Sequence, residues 1–222
     1  MILAIDSSTQ WMGIALFDGN LIRYEKVWRT SRRHTVELSP AISTAMKESQ
    51  TVPKDLSAVV AAIGPGSFTS LRIGLAVAKG FSLANHIPII GVPSLDILAY
   101  NIPVQDKPLI CTLRAGRGRL AAQRYHSSEG QWTSTGDLYV STAEELETSI
   151  SEPTILCGEF NPEEKKIISR RWRNALITDP PANIRRPSVL AYIGAGKLEA
   201  GETSSSAAIA PIYLRTVKNV DH

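Results

Sequence analysis

A strand, a tight turn and a long helix follow one another in residues 58–84, and this unit constrains the fold most strongly. Residues 58–63 are uniformly apolar, as in a buried strand. The Gly-Pro-Gly sequence at 64–66 predicts a turn. The next stretch, 67–84, fits a helix with apolar side chains on two sides, which indicates that it packs against two partners. A strand leading into such a helix favours an α/β fold.

The first 28 residues predict a meander of three strands. Apolar residues dominate 2–5, 12–17 and 21–28, and polar turns separate these segments. The second turn contains Asp18-Gly19, a pair that favours a tight hairpin. The chain therefore opens with antiparallel strands.

The apolar pattern then changes to a helical period. Apolar residues recur on one stripe of a helix at Leu38, Ala41, Ile42, Ala45 and Met46. Pro40 lies inside this segment, so either Ser39 caps a helix that begins there or a longer helix kinks at the proline. Both alternatives place a helix before the buried strand.

Residues 101–108 predict a boundary between two lobes, because two prolines and several polar residues interrupt the pattern there. A second strand–turn–strand follows at 109–113 and 120–125 and repeats the outline of the N-terminus. We predict an N-terminal α/β lobe, residues 1–103, and a C-terminal α/β lobe, residues 104–222. The second lobe is expected to contain a strand at 154–157 and helices at 143–149, 162–173 and 189–200.

Composition indicates a folded protein and excludes several functional classes. Hydrophobic residues make up 43% and charged residues 20%, as in an ordinary globular chain. A net charge of +3 is too small to indicate a dedicated nucleic-acid binder. Neither a secretory leader nor an apolar run of ~20 residues is found, and Cys111 and Cys157 lack the spacing of redox or zinc sites. We therefore expect a cytoplasmic protein with no membrane contact.

The turn at 64–69 is the first candidate for phosphate binding, since it joins a strand to a helix N-terminus. A P-loop would need Lys before Ser or Thr, and a dinucleotide fingerprint would need a third Gly where Thr69 stands. The turn is therefore interpreted as structural. Its residues are Gly64, Pro65, Gly66, Ser67, Phe68 and Thr69.

The loop after the first strand is a second candidate. Asp6, Ser7 and Thr9 place a carboxylate and hydroxyls where actin-like kinases hold Mg-phosphate. Such an enzyme also needs an acidic or Gly-rich loop opening its second lobe, but the corresponding hairpin, 113–118, contains no carboxylate. The sequence thus supports half a nucleotide site at most, and a hydrogen-bonded turn remains an equal alternative.

Other catalytic or metal sites find little support. His34 has Leu38 rather than a second histidine four residues later, so no metal site is predicted. No catalytic residue is proposed. A basic cluster near 170 ends a helix that is capped by Asn161 and begins with Pro162, which suits the helix dipole. The hairpin arginines are candidates for RNA or partner contact: Arg114, Arg117, Arg119 and Arg124.

Three segments together resemble a known family. They are Met1-Ile2-Leu3-Ala4-Ile5-Asp6-Ser7-Ser8-Thr9, then Ala62-Ile63-Gly64-Pro65-Gly66-Ser67-Phe68-Thr69-Ser70-Leu71-Arg72-Ile73-Gly74, and Ile89-Ile90-Gly91-Val92-Pro93-Ser94-Leu95. This pattern is similar to the TsaB (YeaZ-like) family of bacterial threonylcarbamoyladenosine biosynthesis proteins. The likeness is dense over residues 1–100 and thins afterwards to short matches such as 211–215.

The resemblance implies an actin-like ATPase (ASKHA, ribonuclease H-like) superfold with two lobes and no active site. It implies a partner or activator of the catalytic subunit TsaD, which modifies an adenosine beside the tRNA anticodon with help from the ATPase TsaE. It also implies a homodimer in isolation, indirect contact with tRNA, and ATP or ADP only at an interface of the complex. Pairing through the first-lobe helices implies these contact residues: Leu38, Ala41, Ile42, Ala45, Arg72, Ala76, Lys79 and Gly80.

Two departures from the family pattern keep other functions open. Ser70 stands where a Gly is common, and Arg114-Ala115-Gly116 stands where Asp-Ala-Arg is usual, which removes an acid from the inter-lobe cleft. One alternative function is an ASKHA-type small-molecule kinase or ATPase, based on Asp6 and Thr9. The other is a stand-alone RNA-binding module, based on the hairpin arginines.

Overall fold

The computed structural model describes residues 1–31, 33–116, 118–171, 173–212 and 214. Two five-stranded mixed sheets form the centre of the molecule, and helices pack on both faces of each sheet. In the part of the chain that the structure describes, no helix combines the length and apolar character needed to cross a membrane.

The first sheet follows the predicted meander and strand–turn–helix unit. Its strands are β1 (Ile2–Asp6), β2 (Trp11–Phe17), β3 (Ile22–Arg29), β4 (Ala58–Ala62) and β5 (Ile89–Val92). Their order is β3-β2-β1-β4-β5, with antiparallel pairing along the meander and parallel pairing from β1 to β4 and from β4 to β5. The β1 residues are buried throughout because both faces of this central strand are covered.

The second sheet repeats this plan. Its strands are β6 (Leu109–Gly116), β7 (Arg119–Ser128), β8 (Gln131–Ser141), β9 (Thr154–Gly158) and β10 (Ala175–Ile177). The order β8-β7-β6-β9-β10 has the same antiparallel and parallel pairings as the first sheet. The outline seen in the sequence at 109–125 is therefore one part of a topological repeat.

Across the described residues, six α-helices connect and cover the sheets. They are α1 (His34–Glu48), α2 (Phe68–Asn85), α3 (Ser94–Tyr100), α4 (Ala143–Ser149), α5 (Pro162–Ile168) and α6 (Pro187–Glu199). Short 3-10 helices lie at Pro53–Asp55, Ser169–Arg171 and Pro180–Asn183. Helix α1 begins at His34 and continues through Pro40, so the longer of the two predicted helices forms.

The apolar stripe of α1 faces the first sheet. Leu38, Ala41, Ile42 and Ala45 are all buried in one cluster with alternate residues of β1 and β2, among them Ile5. The expectation that these four side chains contact a partner does not hold in the folded chain. The strands of the same lobe already remove the apolar surface of these side chains from water, and this burial stabilises the lobe.

Each lobe also uses a helix from the other half of the sequence. Helix α6 packs on the opposite face of the first sheet, where Leu190 and Ala191 join the cluster of Ile2 and Phe17. Helix α3 lies between the lobes and adds Leu95 to the core of the second sheet. The predicted division at 103 and 104 assigns α6 to the second lobe, but by its contacts α6 belongs to the first.

Candidate functional site

A cleft of about 1270 Å³ separates the two lobes. The first lobe lines it with Thr9, Trp11 and Ser67, and the second lobe with Arg114 and Glu159. Both loops that were candidates for phosphate binding, the one after β1 and the one before α2, lie along this cleft. It is the concave surface in which a small ligand of this chain would be sought.

An arginine that the sequence did not single out fills the position between Asp6 and Thr9. Arg185 Nε donates to Asp6 Oδ2 at 2.8 Å, and Nη2 donates to Thr9 Oγ1 at 2.7 Å and to the Trp11 carbonyl at 3.2 Å. Its side chain is only 2% exposed. The half nucleotide site predicted from the sequence is thus occupied by a side chain of the same chain.

Glu159 completes this arrangement from the second lobe. Arg185 Nη1 donates to Glu159 Oε1 at 3.0 Å, and the same oxygen accepts from Thr9 Oγ1 at 3.0 Å. Burial disfavours the charged guanidinium, but the carboxylates of Asp6 and Glu159 outweigh it and raise the pKa of Arg185. The guanidinium therefore stays charged between two acids.

The remaining candidate residues near the β1–β2 loop make structural contacts. Ser7 Oγ donates to the Ser70 carbonyl at 2.7 Å. A Cβ on Gly74 would collide with Ser7, so this helix glycine is needed for the close approach of α2 to the loop. Ser7 thus has a binding partner within the first lobe.

The turn at 64–69 packs against the same loop. Ser67 N donates to the Ser8 carbonyl at 2.7 Å, and the Ser67 side chain accepts from the Ser70 backbone as the N-cap of α2. A Cβ on Gly66 would collide with the backbone of Ser8. Pro65 follows a cis peptide bond from Gly64. These contacts hold α2 against the loop. They also occupy backbone N–H groups that could otherwise donate hydrogen bonds to a phosphate.

Two of the hairpin arginines have partners within their lobe. Arg114 makes a two-pronged ion pair with Glu164, at 3.1 and 3.0 Å, and Arg124 donates to Ser149. Arg119 is partly buried, and Arg117 lies outside the described residues. The Arg114 side chain lines the cleft.

His34 contacts the β1–β2 loop. Its ring Nε2 lies 3.0 Å from the Thr9 carbonyl, and the residue is buried at the start of α1. Over the described ranges, no group of three or more His, Cys, Asp or Glu side chains is placed to hold a metal ion.

A second candidate surface is the outer face of α2. Exposed residues recur on it every three or four positions, at Phe68, Arg72, Ala76, Gly80 and Leu83. We call these five residues the α2 face. The ring of Phe68 is 54% exposed and lies under the Arg72 guanidinium, and Leu83 is 62% exposed. Lys79 is half-buried at the edge of this face.

The small residues of α2 divide into two groups. Gly74 and Ala78 are buried, and their size is explained by contacts inside the lobe. Ala76 is exposed, and a Cβ on Gly80 would meet nothing within 4 Å. The lobe itself therefore gives no reason for a glycine at position 80, where it weakens the helix.

Comparison with known proteins identifies the family. A family model described as TsaD, tRNA N6-adenosine threonylcarbamoyltransferase, matches residues 28–176. The TsaB protein of Bacillus subtilis (strain 168) is 31% identical over 218 residues, which cover 96% of this chain and 93% of that protein. The chain belongs to the TsaB family. The TsaB protein of Escherichia coli (strain K12) is 36% identical over 99 residues, 44% of this chain and 42% of that one.

Solved structures agree with the fold. YeaZ from Pseudomonas aeruginosa superposes with a TM-score of 0.76 at 19% identity, over 95% of this chain and 99% of that one. An uncharacterized protein from the same organism, described as similar to peptidase YEAZ, gives a TM-score of 0.80 at 21% identity, over 96% and 99%. The prediction of a two-lobed α/β fold and of TsaB membership is confirmed.

Arg185 and Glu159 are the cleft residues that sequence reasoning missed. They lie 26 residues apart in the chain and far from Asp6, so no local spacing connects them. Arg185 is followed directly by Arg186, which is exposed and pairs with Glu25. Nothing in the sequence indicates which of the two arginines is buried, because burial is decided by the return of α6 to the first sheet.

Proposed function

We propose that this chain is a non-catalytic partner of a TsaD-like subunit and enables it to form threonylcarbamoyladenosine next to the tRNA anticodon. Membership of the TsaB family supports the pathway, since relatives carry the name tRNA threonylcarbamoyladenosine biosynthesis protein. The TsaD model that matches residues 28–176 supports a partnership between related chains.

The α2 face is the observation that carries this proposal. It places the exposed apolar side chains of Phe68 and Leu83 on the same helix face as Ala76 and Gly80, two positions where the helix backbone is open to close approach. Large exposed apolar residues at one stripe of a helix are typical of a protein–protein contact. Helix α1 packs beside α2 and also exposes an apolar residue, Val36.

The cleft supports the non-catalytic part of the proposal. An ATPase or kinase of this superfold would need the carboxylate of Asp6 and the hydroxyl of Thr9 for Mg-phosphate. Both groups are engaged by Arg185. We therefore propose that the chain binds no nucleotide by itself, and that ATP or ADP enters only at an interface of the complex.

The remaining partners follow from the same role. We infer a TsaE-like ATPase as a further member of the complex, contact with tRNA through the complex only, and a cytoplasmic location. In isolation the α2 face would pair with a second copy of this chain, because the same apolar surface otherwise stays in water.

Reconstituted tRNA threonylcarbamoylation with the cognate TsaD-like subunit tests this function. We expect modified tRNA only when this chain is present. Gly80→Arg should reduce complex formation at least about tenfold, since a bulky charge then faces the partner. Gly196→Arg is the matched control, because Gly196 is also an exposed helix glycine with nothing within 4 Å of a built Cβ.

Other results would assign other functions. Full modification without this chain, or equal activity of the Gly80 and Gly196 variants, would contradict the proposal. Calorimetric binding of Mg-ATP by the isolated chain would support the kinase or ATPase alternative. Strongly salt-dependent tRNA binding without a partner would support the RNA-binding alternative.

A further inference from the structure

Three distant parts of the chain meet at one guanidinium group. Asp6 ends β1 of the first lobe, Glu159 follows β9 of the second lobe, and Arg185 precedes α6. The guanidinium makes four hydrogen bonds to them and to the β1–β2 loop, at 2.7 to 3.2 Å. Hydrogen bonds from a charged guanidinium are the stronger kind, and its planar shape suits several fixed acceptors at once.

The oxygen atoms of Asp6, Thr9 and Glu159 surround the guanidinium group of Arg185. Asp6 uses Oδ2 for Arg185 and Oδ1 for the Ser8 backbone, so both of its oxygens are engaged. Thr9 Oγ1 accepts from Arg185 and donates to Glu159 Oε1, which turns its lone pair towards the cation. Two carboxylates and one hydroxyl thus converge on a single positive group from two lobes.

We propose that Asp6, Thr9 and Glu159 form a cation site shared by the two lobes, and that Arg185 is its built-in ligand, which ties the lobes together across the cleft. The site takes a planar guanidinium, whose N–H groups match acceptors lying in different directions. A divalent cation has no room while Arg185 is in place. This role concerns the isolated chain, so it does not depend on the proposed partnership.

Removing the side chain of Arg185 would leave two carboxylates without their counter-charge. Breaking one partner out of a buried ion pair is strongly destabilising because the remaining charges stay buried. A free cation of the right shape would then bind in the vacated space and restore part of the loss. Such a rescue is expected if Arg185 acts as the cation of a binding site, and it is not expected if the side chain only fills space.

The test is chemical rescue of the Arg185→Ala variant, measured by thermal unfolding of the isolated chain. We expect its unfolding midpoint to fall by about 10 °C, and Arg185→Lys to fall less because the charge is kept. Millimolar guanidinium chloride should raise the midpoint of Arg185→Ala but not that of the wild type. Sodium chloride at equal ionic strength should leave it unchanged.

Arg171→Ala is the matched control, because Arg171 forms an exposed ion pair with Glu147 at 2.7 Å. Its midpoint should change little, and guanidinium should not affect it. The proposal is overturned if guanidinium stabilises Arg185→Ala no more than Arg171→Ala. It is also overturned if magnesium chloride restores Arg185→Ala and guanidinium does not, since the site would then suit a hard divalent cation instead.

A double-mutant cycle covers the case in which Arg185→Ala does not fold. Glu159 is partly exposed, so Glu159→Gln is expected to fold. Combined with Arg185→Lys, it should lower the midpoint by clearly less than the sum of the two single changes, because each change weakens the same ion pair. Additive changes would show that Arg185 and Glu159 do not share a site.

Discussion

At the scale of single residues, Asp96 carries a half-buried carboxyl group outside the cleft. Burial is the main influence on this carboxyl group and raises its pKa above the ordinary value. The hydrogen bond from Tyr125, at 2.7 Å to Oδ1, opposes that change only in part. Burial likewise raises the pKa of Tyr125. The pair joins α3 to β7 and so links the two lobes.

Asp96→Asn is therefore expected to stabilise the protein at neutral pH. A raised carboxyl pKa means that the ionised form is disfavoured in the folded state, so its cost is absent below the unfolded pKa and grows as pH rises through the folded pKa. Asn keeps an acceptor for Tyr125 and carries no charge. We expect the variant to have a larger free energy of unfolding than wild type at pH 7 and the same free energy near pH 3.

Urea unfolding of both proteins across this pH range measures the difference. Asp106→Asn, at an exposed carboxylate, is the control and should show no such dependence on pH. A gain for Asp96→Asn that is equal at low and neutral pH would contradict the assignment of the effect to ionisation.

Single residues also show what sequence reasoning can reach. Asn161 and Pro162 were identifiable as the start of α5, because a cap and its reciprocal Glu164 lie three residues apart and their hydrogen bonds are local. Arg185 was not identifiable, since its partners come from β1 and from the end of β9. Local chemistry can be read from spacing, whereas a buried ion pair between lobes requires the tertiary structure.

At the scale of elements, the close packing of α6 on the first sheet depends on one glycine, Gly194. A Cβ at Gly194 would collide with the Val60 side chain of β4, whereas a Cβ at Gly196, two residues later, would meet nothing within 4 Å. The two positions share a helix and differ in the face they occupy. Substitutions at the two positions therefore distinguish the effect of packing from the effect of helix propensity.

Gly194→Ala is expected to cost about 1–3 kcal/mol of unfolding free energy, because the added methyl group forces α6 away from β4. Gly196→Ala should instead gain about 0.5–1 kcal/mol, since alanine favours a helix where there is space for it. Urea unfolding measures both. Equal effects of the two substitutions would mean that α6 does not pack on β4 as closely as described.

Strands β1, β2 and β4 of the first sheet were predictable because they are apolar and buried almost throughout, while two strands of the second sheet were not. β8 has mostly exposed, polar residues and is held by its pairing with β7. β10 has only three residues and pairs with β9 at the sheet edge. A strand that owes its conformation to a neighbour leaves a weak pattern in its own sequence.

At the scale of the whole molecule, the lobes are built from interleaved parts of the chain. The first sheet is covered on one face by α1 and α2, which precede residue 103, and on the other by α6, which begins at Pro187. The second sheet in turn receives α3 from the first half of the chain. A boundary drawn at one point of the sequence therefore cannot separate two complete cores.

This interleaving predicts that residues 1–103 do not fold as an independent unit. Without α6, one face of the sheet would expose the apolar side chains that Leu190 and Ala191 cover. A small domain has only a small net free energy of folding, so the loss of this buried apolar area is expected to unfold it. We expect the fragment to lack a cooperative urea transition and to bind a hydrophobic dye. Joining residues 187–222 to it through a flexible Gly/Ser linker should restore cooperative unfolding, whereas joining the same linker to a scrambled segment should not. A cooperative transition of the unextended fragment would show that α6 is an accessory of the first lobe rather than a part of its core.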